Sequence, residues 1–262
     1  MAETERESLA LEEKPEDLEA KKDLGPMDSK FPLLAEFREK APGSYKHAQS
    51  LVNIVENICA AIDMDPHTLR IAAMYHDIGK MWAPEFFTEN QSKDDKNIHV
   101  GLDPTISYHL ITRHVSDTVT ILTAYDFPKE VIRVASQHHG SCILQAIYEY
   151  AVKEDGSFED KKDLFRYKTP RPDSLESLIL MLSDQIEATS RAVYSDQSVD
   201  IDPSIFVTRI YQKLHLDGQF DNVQVVLGKL KKIQAALISD VASNFQKRIK
   251  YEEDVELTKK DD

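Results

Sequence analysis

Apolar residues recur every three or four positions along most of the chain, and this spacing predicts helices. Between residues 44 and 62 the apolar positions form one helical face: Leu51, Ile54, Val55, Ile58 and Ile62. Similar segments bounded by Pro, Asp, Ser or Gly predict helices over 65–79, 103–124, 128–140, 141–153 and 174–193, and two more between 202 and 250. No segment has the pattern of a strand, so we predict an all-α fold.

Polar stretches interrupt this pattern. Residues 1–28 carry ten acidic and four basic side chains without apolar periodicity, which predicts an acidic flexible tail over residues 1–30. Residues 41–44, Ala-Pro-Gly-Ser, predict a turn that supplies an N-cap to the next helix. The loop from Trp82 to Leu102 is long for a compact domain, and such loops are more often functional than idle.

Composition restricts the class of protein. Eight glycines among 262 residues agree with a helical fold, and two cysteines are too few for a disulfide framework and suit a reducing cytoplasm. The net charge of -14 disfavours binding to long nucleic acid, although bound metal ions would reverse the charge locally and admit a small anionic ligand. No segment predicts a membrane span or a signal peptide.

The candidate chemistry lies in histidine and aspartate residues at predicted helix ends. His76 and Asp77 follow an apolar run, and His138 and His139 end another apolar helix just before Gly140. Adjacent helical residues point about 100° apart, so both members of a pair face one centre only where the helix terminates. Each pair is therefore a candidate for a shared site.

Asp184 interrupts an apolar helix, where an ionised carboxylate is costly unless it meets a cation, either a metal ion or an arginine. The full candidate set supplies five imidazoles and two carboxylates: His47, His76, Asp77, His114, His138, His139 and Asp184. These donors, without a thiolate, favour iron or manganese over zinc. Seven ligands suit two divalent ions that share a bridging carboxylate, an arrangement that supports displacement at phosphorus.

The order of these residues resembles that of the HD-domain metal-dependent phosphohydrolases. The similarity is greatest to the cytosolic HD domain of the seven-transmembrane HD receptors, the PgpH-type cyclic di-AMP phosphodiesterases. It rests on the stretches APGSYKH, AAMYHDIGK, PEFFTENQ, ITRHV, QHHG, LMLSDQIEATSR, DGQF and RIKY. The resemblance implies an HD-domain helical bundle over residues 31–196, additional C-terminal helices over 197–251 and a charged tail over 252–262.

The resemblance also implies roles for the candidate ligands. One ion would be held by His47, His76, Asp77 and Asp184. The second would be held by His114, His138 and His139, with Asp77 bridging the two. In the implied reaction a metal-bridging hydroxide attacks one phosphorus of cyclic di-AMP, and the product is linear pApA.

Three further residues are implied to contact the substrate. Lys80 would meet a phosphate as a mobile positive charge and, with Asp77, act in catalysis. His99 would line the substrate side, in an Asn-Ile-His segment where the family usually has Asn-Pro-His. Arg191 would contact substrate or, alternatively, pair with Glu187.

Several alternatives stay open from the sequence. One alternative is a phosphohydrolase that acts on another nucleotide or phosphate ester. A second is an oxygenase with a dinuclear iron site, and a third is a domain that senses a nucleotide without hydrolysing it. The QHHG motif is not followed by the Gly-Tyr-Pro of relatives that cleave cyclic di-GMP, which disfavours that substrate. Because no membrane bundle is present, the chain is predicted to be cytoplasmic, either a soluble relative or the cytoplasmic part of a membrane receptor.

Overall fold

The computed structural model describes residues 25–92, 97–194 and 201–258, with side chains as far as residue 243. These residues contain nine α-helices: α1 Pro32–Lys40, α2 Pro42–Ile62, α3 His67–Tyr75, α4 Pro104–Ala124, α5 Lys129–Ser136, α6 Gln145–Glu154, α7 Leu175–Val193, α8 Pro203–Leu216 and α9 Leu227–Thr258. They contain no strand, and an isolated bridge joins Ile143 and Arg166. The predicted all-α class is confirmed. The predicted acidic tail lies outside the described residues as far as position 24.

The core is organised around α7. Its residues 178–182 are all fully buried, which follows from a sequence that is apolar on every side at this point. The helix packs against α2, α3, α5, α8 and α9, and each large apolar side chain buried there stabilises the fold by about 1.5–3 kcal/mol. Asp184 follows this segment directly, so the core fixes its position. Among the described helices, not one has both the length and the hydropathy of a membrane span.

Several helices begin at the predicted capping residues. The side chains of Asp103, Ser174 and Asp202 accept hydrogen bonds from backbone N–H groups two or three residues later, at the starts of α4, α7 and α8. Such bonds satisfy N–H groups that have no partner within the helix. The predicted starts of these helices agree with the structure.

The turn predicted over residues 41–44 contains the N-cap residue, Ala41, but none of its side chains caps the helix. Helix α2 already begins at Pro42, and Ser44 is fully buried inside it. The capping group comes instead from the distant loop, because Asn90 Oδ1 accepts from the backbone N–H groups of Gly43, at 2.9 Å, and Ser44, at 3.1 Å. A Cβ atom on Gly43 would lie 1.8 Å from the carbonyl oxygen of Glu89, so only glycine permits this approach.

Two other boundaries differ from the prediction. Helix α5 ends at Ser136 rather than at residues 138–140, and Gly140 has a φ of +51° in the turn that follows. Helix α6 begins at Gln145 rather than near Ser141, because the backbone of residues 142–144 bonds across to residues 165–167. Both changes leave His138 and His139 in a turn, outside any helix.

Candidate metal centre and active site

The structure brings all seven candidate ligands to one place at the centre of the bundle. They come from α2, the end of α3, α4, the turn after α5, and α7. Two groups have ligand atoms within 4.8 Å of one another: His47, His76 and Asp184 in the first, and Asp77, His114, His138 and His139 in the second. Six of the seven residues are buried, and His139 is partly buried.

Asp77 lies between the two groups. Its Oδ2 atom is 3.1 Å from His76 Nε2 and 3.9 Å from His47 Nε2. Its Oδ1 atom is 3.3 Å from His114 Nε2 and 3.7 Å from His138 Nε2. One carboxylate therefore presents one oxygen to each group, which is the geometry of a bridging ligand.

Asp184 also spans the groups, although less closely. Its Oδ1 atom lies 3.0 Å from His47 Nε2, and its Oδ2 atom lies 3.6 Å from His139 Nδ1. Most residues of α7 around Asp184 are buried, so rotation of the Asp184 side chain cannot bring its carboxylate into solvent. The alternative in which Asp184 pairs with an arginine finds no support among the described ion pairs, since its partners are histidines.

Backbone carbonyl groups orient three of the imidazoles. His76, His114 and His138 each place Nδ1 within hydrogen-bonding distance of the carbonyl oxygen three residues earlier, at 2.8, 2.6 and 2.6 Å. A carbonyl only accepts, so Nδ1 carries the proton and the Nε2 lone pair faces the centre of the cluster. This fixes the tautomer that a metal ligand requires.

His47 is oriented by a side chain instead. Its Nδ1 atom donates to Glu187 Oε2 at 2.6 Å, and Arg191 Nη2 donates to the same oxygen at 2.5 Å. The Glu187 carboxylate was identified in the sequence only as a partner for Arg191. Its spacing, three residues after Asp184 on the same helical face, was the signal for a second role. Arg191 is thus in the predicted ion pair, with its side chain 38% exposed.

Burial sets the protonation of the second group. It lowers the pKa of His114 to about 4 and that of His138 to about 3, and together with the adjacent His138 it lowers the pKa of His139 well below its usual range. These imidazoles are neutral near pH 7 and their lone pairs are available. Burial tends to raise the pKa of Asp77, but its interactions with His76 and with the Lys80 ammonium group outweigh burial and hold this carboxyl ionised.

His47 behaves differently. Burial tends to lower its pKa, but hydrogen bonds to Asp184 and Glu187 outweigh burial and raise the pKa to about 9. A cation bound at Nε2 would replace the proton that this atom shares with Asp184, while Glu187 would keep the Nδ1 proton. The residue therefore has both the charge environment and the orientation of a ligand.

The residues fit divalent metal ions by a further criterion. Four buried atoms of the cluster have no hydrogen-bond partner: His76 Nε2, Asp77 Oδ1, His139 Nδ1 and Asp184 Oδ2. A buried polar atom without a partner costs about 1–3 kcal/mol, and all four atoms belong to the two groups of candidate ligands. The cluster thus has the nitrogen and oxygen donors for divalent metals.

Lys80 lies at the edge of the cluster. Its Nζ atom is 2.8 Å from Asp77 Oδ2 and 2.7 Å from Glu89 Oε1, and it sits 4.9 Å from the centre of the Phe87 ring. Burial tends to lower the pKa of Lys80, but the two carboxylates outweigh it and raise the pKa above its usual value. Glu89, in the Glu-Asn-Gln motif of the loop, is a neighbour that spacing alone did not identify.

His99 is not in the metal cluster. Its Nε2 atom donates to the Phe86 carbonyl at 2.9 Å, and its buried Nδ1 atom has no partner. It lines a cavity of about 300 Å³ that also includes Phe87 and Glu89. Since the Phe87 ring packs against His114, with centroids 5.6 Å apart, this cavity adjoins the ligands.

A larger cavity, of about 670 Å³, adjoins the ligands through Tyr167. The Tyr167 ring lies 4.3 Å, centroid to centroid, from the ring of His139. Arg113 and Lys168 also line this cavity and give it positive charge in a chain that is acidic as a whole. Spacing in the sequence did not identify Tyr167, because it lies in a segment without a helical pattern.

Comparison with known families identifies the class of protein. Residues 44–189 match the family model described as HD domain. The chain therefore belongs to the HD-domain family, as its motifs predicted.

Two curated relatives share most of this chain. Both are named cyclic-di-AMP phosphodiesterase PgpH: that of Bacillus subtilis (strain 168) is 34% identical over 222 residues, and that of Listeria monocytogenes serotype 1/2a (strain 10403S) is 32% identical over 223 residues. Each alignment covers 85% of this chain but 30% of the relative, so the chain spans less than a third of their length. The names support the predicted class of enzyme, a hydrolase of phosphodiesters.

Solved structures agree with the sequence comparison. The HD domain of L. monocytogenes PgpH matches with a TM-score of 0.72 and 32% identity, over 82% of this chain and 99% of that chain. The same domain in complex with cyclic di-AMP matches with a TM-score of 0.73 and 30% identity. The predicted HD-domain helical bundle is confirmed.

Proposed function

We propose that this protein hydrolyses a cyclic dinucleotide, specifically cyclic di-AMP to linear pApA, at the cluster around Asp77. The observation that carries the proposal is that the two carboxylate oxygens of Asp77 face different groups of imidazoles. Two ions that share a bridging ligand require this arrangement, and such pairs suit in-line displacement at phosphorus. The names of the two relatives and the neighbour solved with cyclic di-AMP support the choice of substrate.

We assign the ligands in two sets that share Asp77. His47, His76 and Asp184 would hold the first ion, and His114, His138 and His139 would hold the second, with Asp77 shared between them. Two divalent ions, iron or manganese in preference to zinc, would lower the pKa of a water molecule and neutralise the charge that develops on the phosphate. A carboxylate shared by both ions would keep them close enough to act on one phosphodiester.

Lys80 supplies a further positive charge for that phosphodiester. An ammonium group has three N–H donors, and two of them point at Asp77 and Glu89. The third is free to donate to a phosphate oxygen as negative charge develops there. Because Glu89 also accepts from the Ser44 hydroxyl at 3.0 Å, the loop and α2 together hold the lysine at the edge of the site.

The two cavities suit a ligand with two bases. One contacts His114 through Phe87, and the other contacts His139 through Tyr167. Aromatic side chains in both cavities offer stacking surfaces, and base stacking contributes about 1–3 kcal/mol per base. We place the substrate phosphates at the cluster and the bases in these cavities, with His99 lining one of them.

The catalytic site works in the cytoplasm under this proposal. Cyclic di-AMP is the substrate in the names of the relatives. Cys59 and Cys142 are both buried free thiols, which agrees with a reducing compartment.

Arg191 contacts substrate only if it leaves Glu187, so we give it the role of orienting His47 through that carboxylate.

The decisive experiment combines metal analysis with an assay across substrates. Protein purified without oxygen should hold two transition-metal ions per chain and cleave cyclic di-AMP to pApA faster than it cleaves cyclic di-GMP or linear dinucleotides. Cleavage of a different nucleotide or phosphate ester alone would replace the substrate but keep the chemistry. Oxygen consumption with a polyol, without phosphodiester cleavage, would replace the reaction with that of an oxygenase. Binding of cyclic di-AMP without cleavage would make the domain a sensor.

A further inference from the structure

The turn that carries His138 and His139 is held by a residue far away in the chain. Gln219 is fully buried, and its Oε1 atom accepts from the backbone N–H of Ser141 at 3.1 Å. Its Nε2 atom donates to Ser141 Oγ at 3.0 Å and to Asp217 Oδ2 at 2.8 Å. Both ends of the side-chain amide therefore bond to Ser141, two residues after His139 in the same turn.

Two arginines complete the contacts around Ser141. Arg166 donates to the Ser141 carbonyl at 2.8 Å and forms a two-point ion pair with Asp217, at 2.9 and 3.0 Å. Arg171 Nε donates to Ser141 Oγ at 2.9 Å. The N–H, carbonyl and hydroxyl groups of Ser141 all have partners. All four contacts come from the loop of residues 217–221 or from arginines that pair with it, Arg166 with Asp217 and Arg171 with Asp221.

The turn needs outside support because it has little of its own. Helix α5 has already ended at Ser136, and residues 137–142 are joined by two backbone bonds, from Gly140 to Gln137 at 2.9 Å and from Cys142 to His139 at 3.1 Å. A Cβ atom on Gly140 would lie 2.4 Å from Gln219 Oε1, which shows how closely the amide packs on the turn. A metal ligand must keep a fixed orientation, and turns held by few bonds open easily.

We propose that Gln219 is a positioning residue for the second ion: it holds Ser141, and through it the imidazoles of His138 and His139, in the orientation that binds metal. This rests on the ligand assignment of the proposed function. Gln219 lies in the loop between α8 and α9, outside residues 44–189, which match the HD-domain model, so the proposal gives the C-terminal part of the chain a role at the proposed metal centre.

The test compares two glutamine-to-methionine substitutions. Gln219→Met keeps the length of the side chain and removes its hydrogen bonds. Gln234→Met is the matched control, because Gln234 donates to Thr208 Oγ1 at 2.9 Å between α8 and α9 and does not contact the turn. Metal content and Mn²⁺ affinity are measured on the full chain, with circular dichroism and thermal unfolding of the metal-free proteins as a check of folding.

We expect Gln219→Met to bind one Mn²⁺ ion as the wild type does and the second about 10–100-fold more weakly, as for other groups that orient a ligand. Its electron paramagnetic resonance spectrum should change from that of a coupled pair to that of an isolated Mn²⁺ ion. A change confined to folding would not produce this spectrum. The Gln234→Met protein should bind two ions with wild-type affinity.

Other results separate the two proposals. If the wild type and Gln219→Met bind two ions equally well, the positioning role is wrong and the proposed function stands. If the wild type binds no second ion, the ligand assignment fails and the positioning role fails with it. If Gln219→Met does not fold, Ser141→Ala decides: weaker binding of the second ion alone supports the proposal, and wild-type affinity for both ions contradicts it.

Discussion

The two groups of candidate ligands differ in how the protein holds them. His47 and Asp184 lie within α2 and α7, on faces that the core buries, and His76 lies at the C-terminal end of α3. In the second group, His138 and His139 lie in a turn that the side chain of Gln219 supports through Ser141. The helices that carry the first group are thus positioned by apolar packing, with Glu187 orienting the His47 ring. In the second group, His138 and His139 depend on long-range hydrogen bonds to the turn that carries them.

The two groups should therefore differ in how easily a substitution weakens metal binding. Apolar packing is spread over many contacts, so the position of the helices that carry the first group does not depend on any one contact. A hydrogen-bonded turn depends on a few directional contacts, and the loss of one leaves buried groups without partners. We therefore expect the second ion to be the one more easily lost.

The largest effect should come from the residue that joins the two groups. Asp77→Asn keeps the shape of the side chain but removes the negative charge that would bridge the two ions of the proposed site. We expect the cleavage rate to fall on the order of 10³-fold or more, with loss of bound metal. Metal analysis and single-turnover cleavage of cyclic di-AMP check this. Asp173→Asn, at an exposed ion pair with Arg133, is the control, and a variant at Asp77 that keeps two ions and most of its rate would disprove the bridge.

Lys80→Ala should separate substrate binding from metal binding. Because the ammonium group contacts Asp77 and Glu89 but is not itself a ligand, both ions should remain while the rate at saturating substrate falls about 10²-fold. The control is Lys40→Ala, which removes an exposed lysine from its pair with Glu36. An unchanged rate at saturation would remove Lys80 from the catalytic machinery, and loss of an ion would show that it acts through Asp77.

Glu187→Gln tests whether a hydrogen bond orients a ligand of the first group, as Gln219→Met does for the second group. The amide is a weaker acceptor for the His47 Nδ1 proton, so the first ion should bind about tenfold more weakly while the second is unaffected. Titration with Mn²⁺, followed by electron paramagnetic resonance, distinguishes weaker binding of the first ion from weaker binding of the second. Glu176→Gln, in the first turn of the same helix, is the control. If Glu187→Gln weakened the ion of the second group instead, the separation of the two groups would be wrong.

The smallest effect on the site is expected from the removal of the N-cap of α7. Ser174→Ala removes the group that accepts from the Ser177 N–H at the start of α7, and should lower the free energy of unfolding by about 1 kcal/mol. Metal content and cleavage rate should not change, because Asp184 is held by packing further along the helix. Chemical denaturation measures the difference, with Ser243→Ala in α9 as the control. Loss of either ion in a protein of unchanged stability would contradict this view of the first group.

Local patterns in the sequence predicted the scaffold well. The face formed by Leu51, Val55 and Ile58 is buried in α2, because a helix against a core must repeat its apolar residues at the helical period. The prediction failed where distant groups replaced local ones. Ser44 does not cap α2, since Asn90 does so from the loop.

The site could be predicted in part. The residue types and their places at helix ends indicated a metal site, and the resemblance of the motifs supplied the order of the ligands. Glu89 and Gln219 had no predicted role, because a glutamate in a polar loop and a glutamine after a glycine have no local pattern that separates them from surface residues. The metal ligands and substrate contacts of this protein remain predictions that the experiments above test.

The sequence by itself determined the all-α class, the family and the chemical type of the donors, because these depend on residue identity and on spacing over a few turns. Only the tertiary structure decided which oxygen of Asp77 faces which imidazoles and how the turn after α5 is held. Ser141 and Gln219 are 78 positions apart, and no periodicity of the chain encodes a hydrogen bond between them. Their contact exists because the packing of the nine described helices brings the loop between α8 and α9 against the turn that carries His138 and His139.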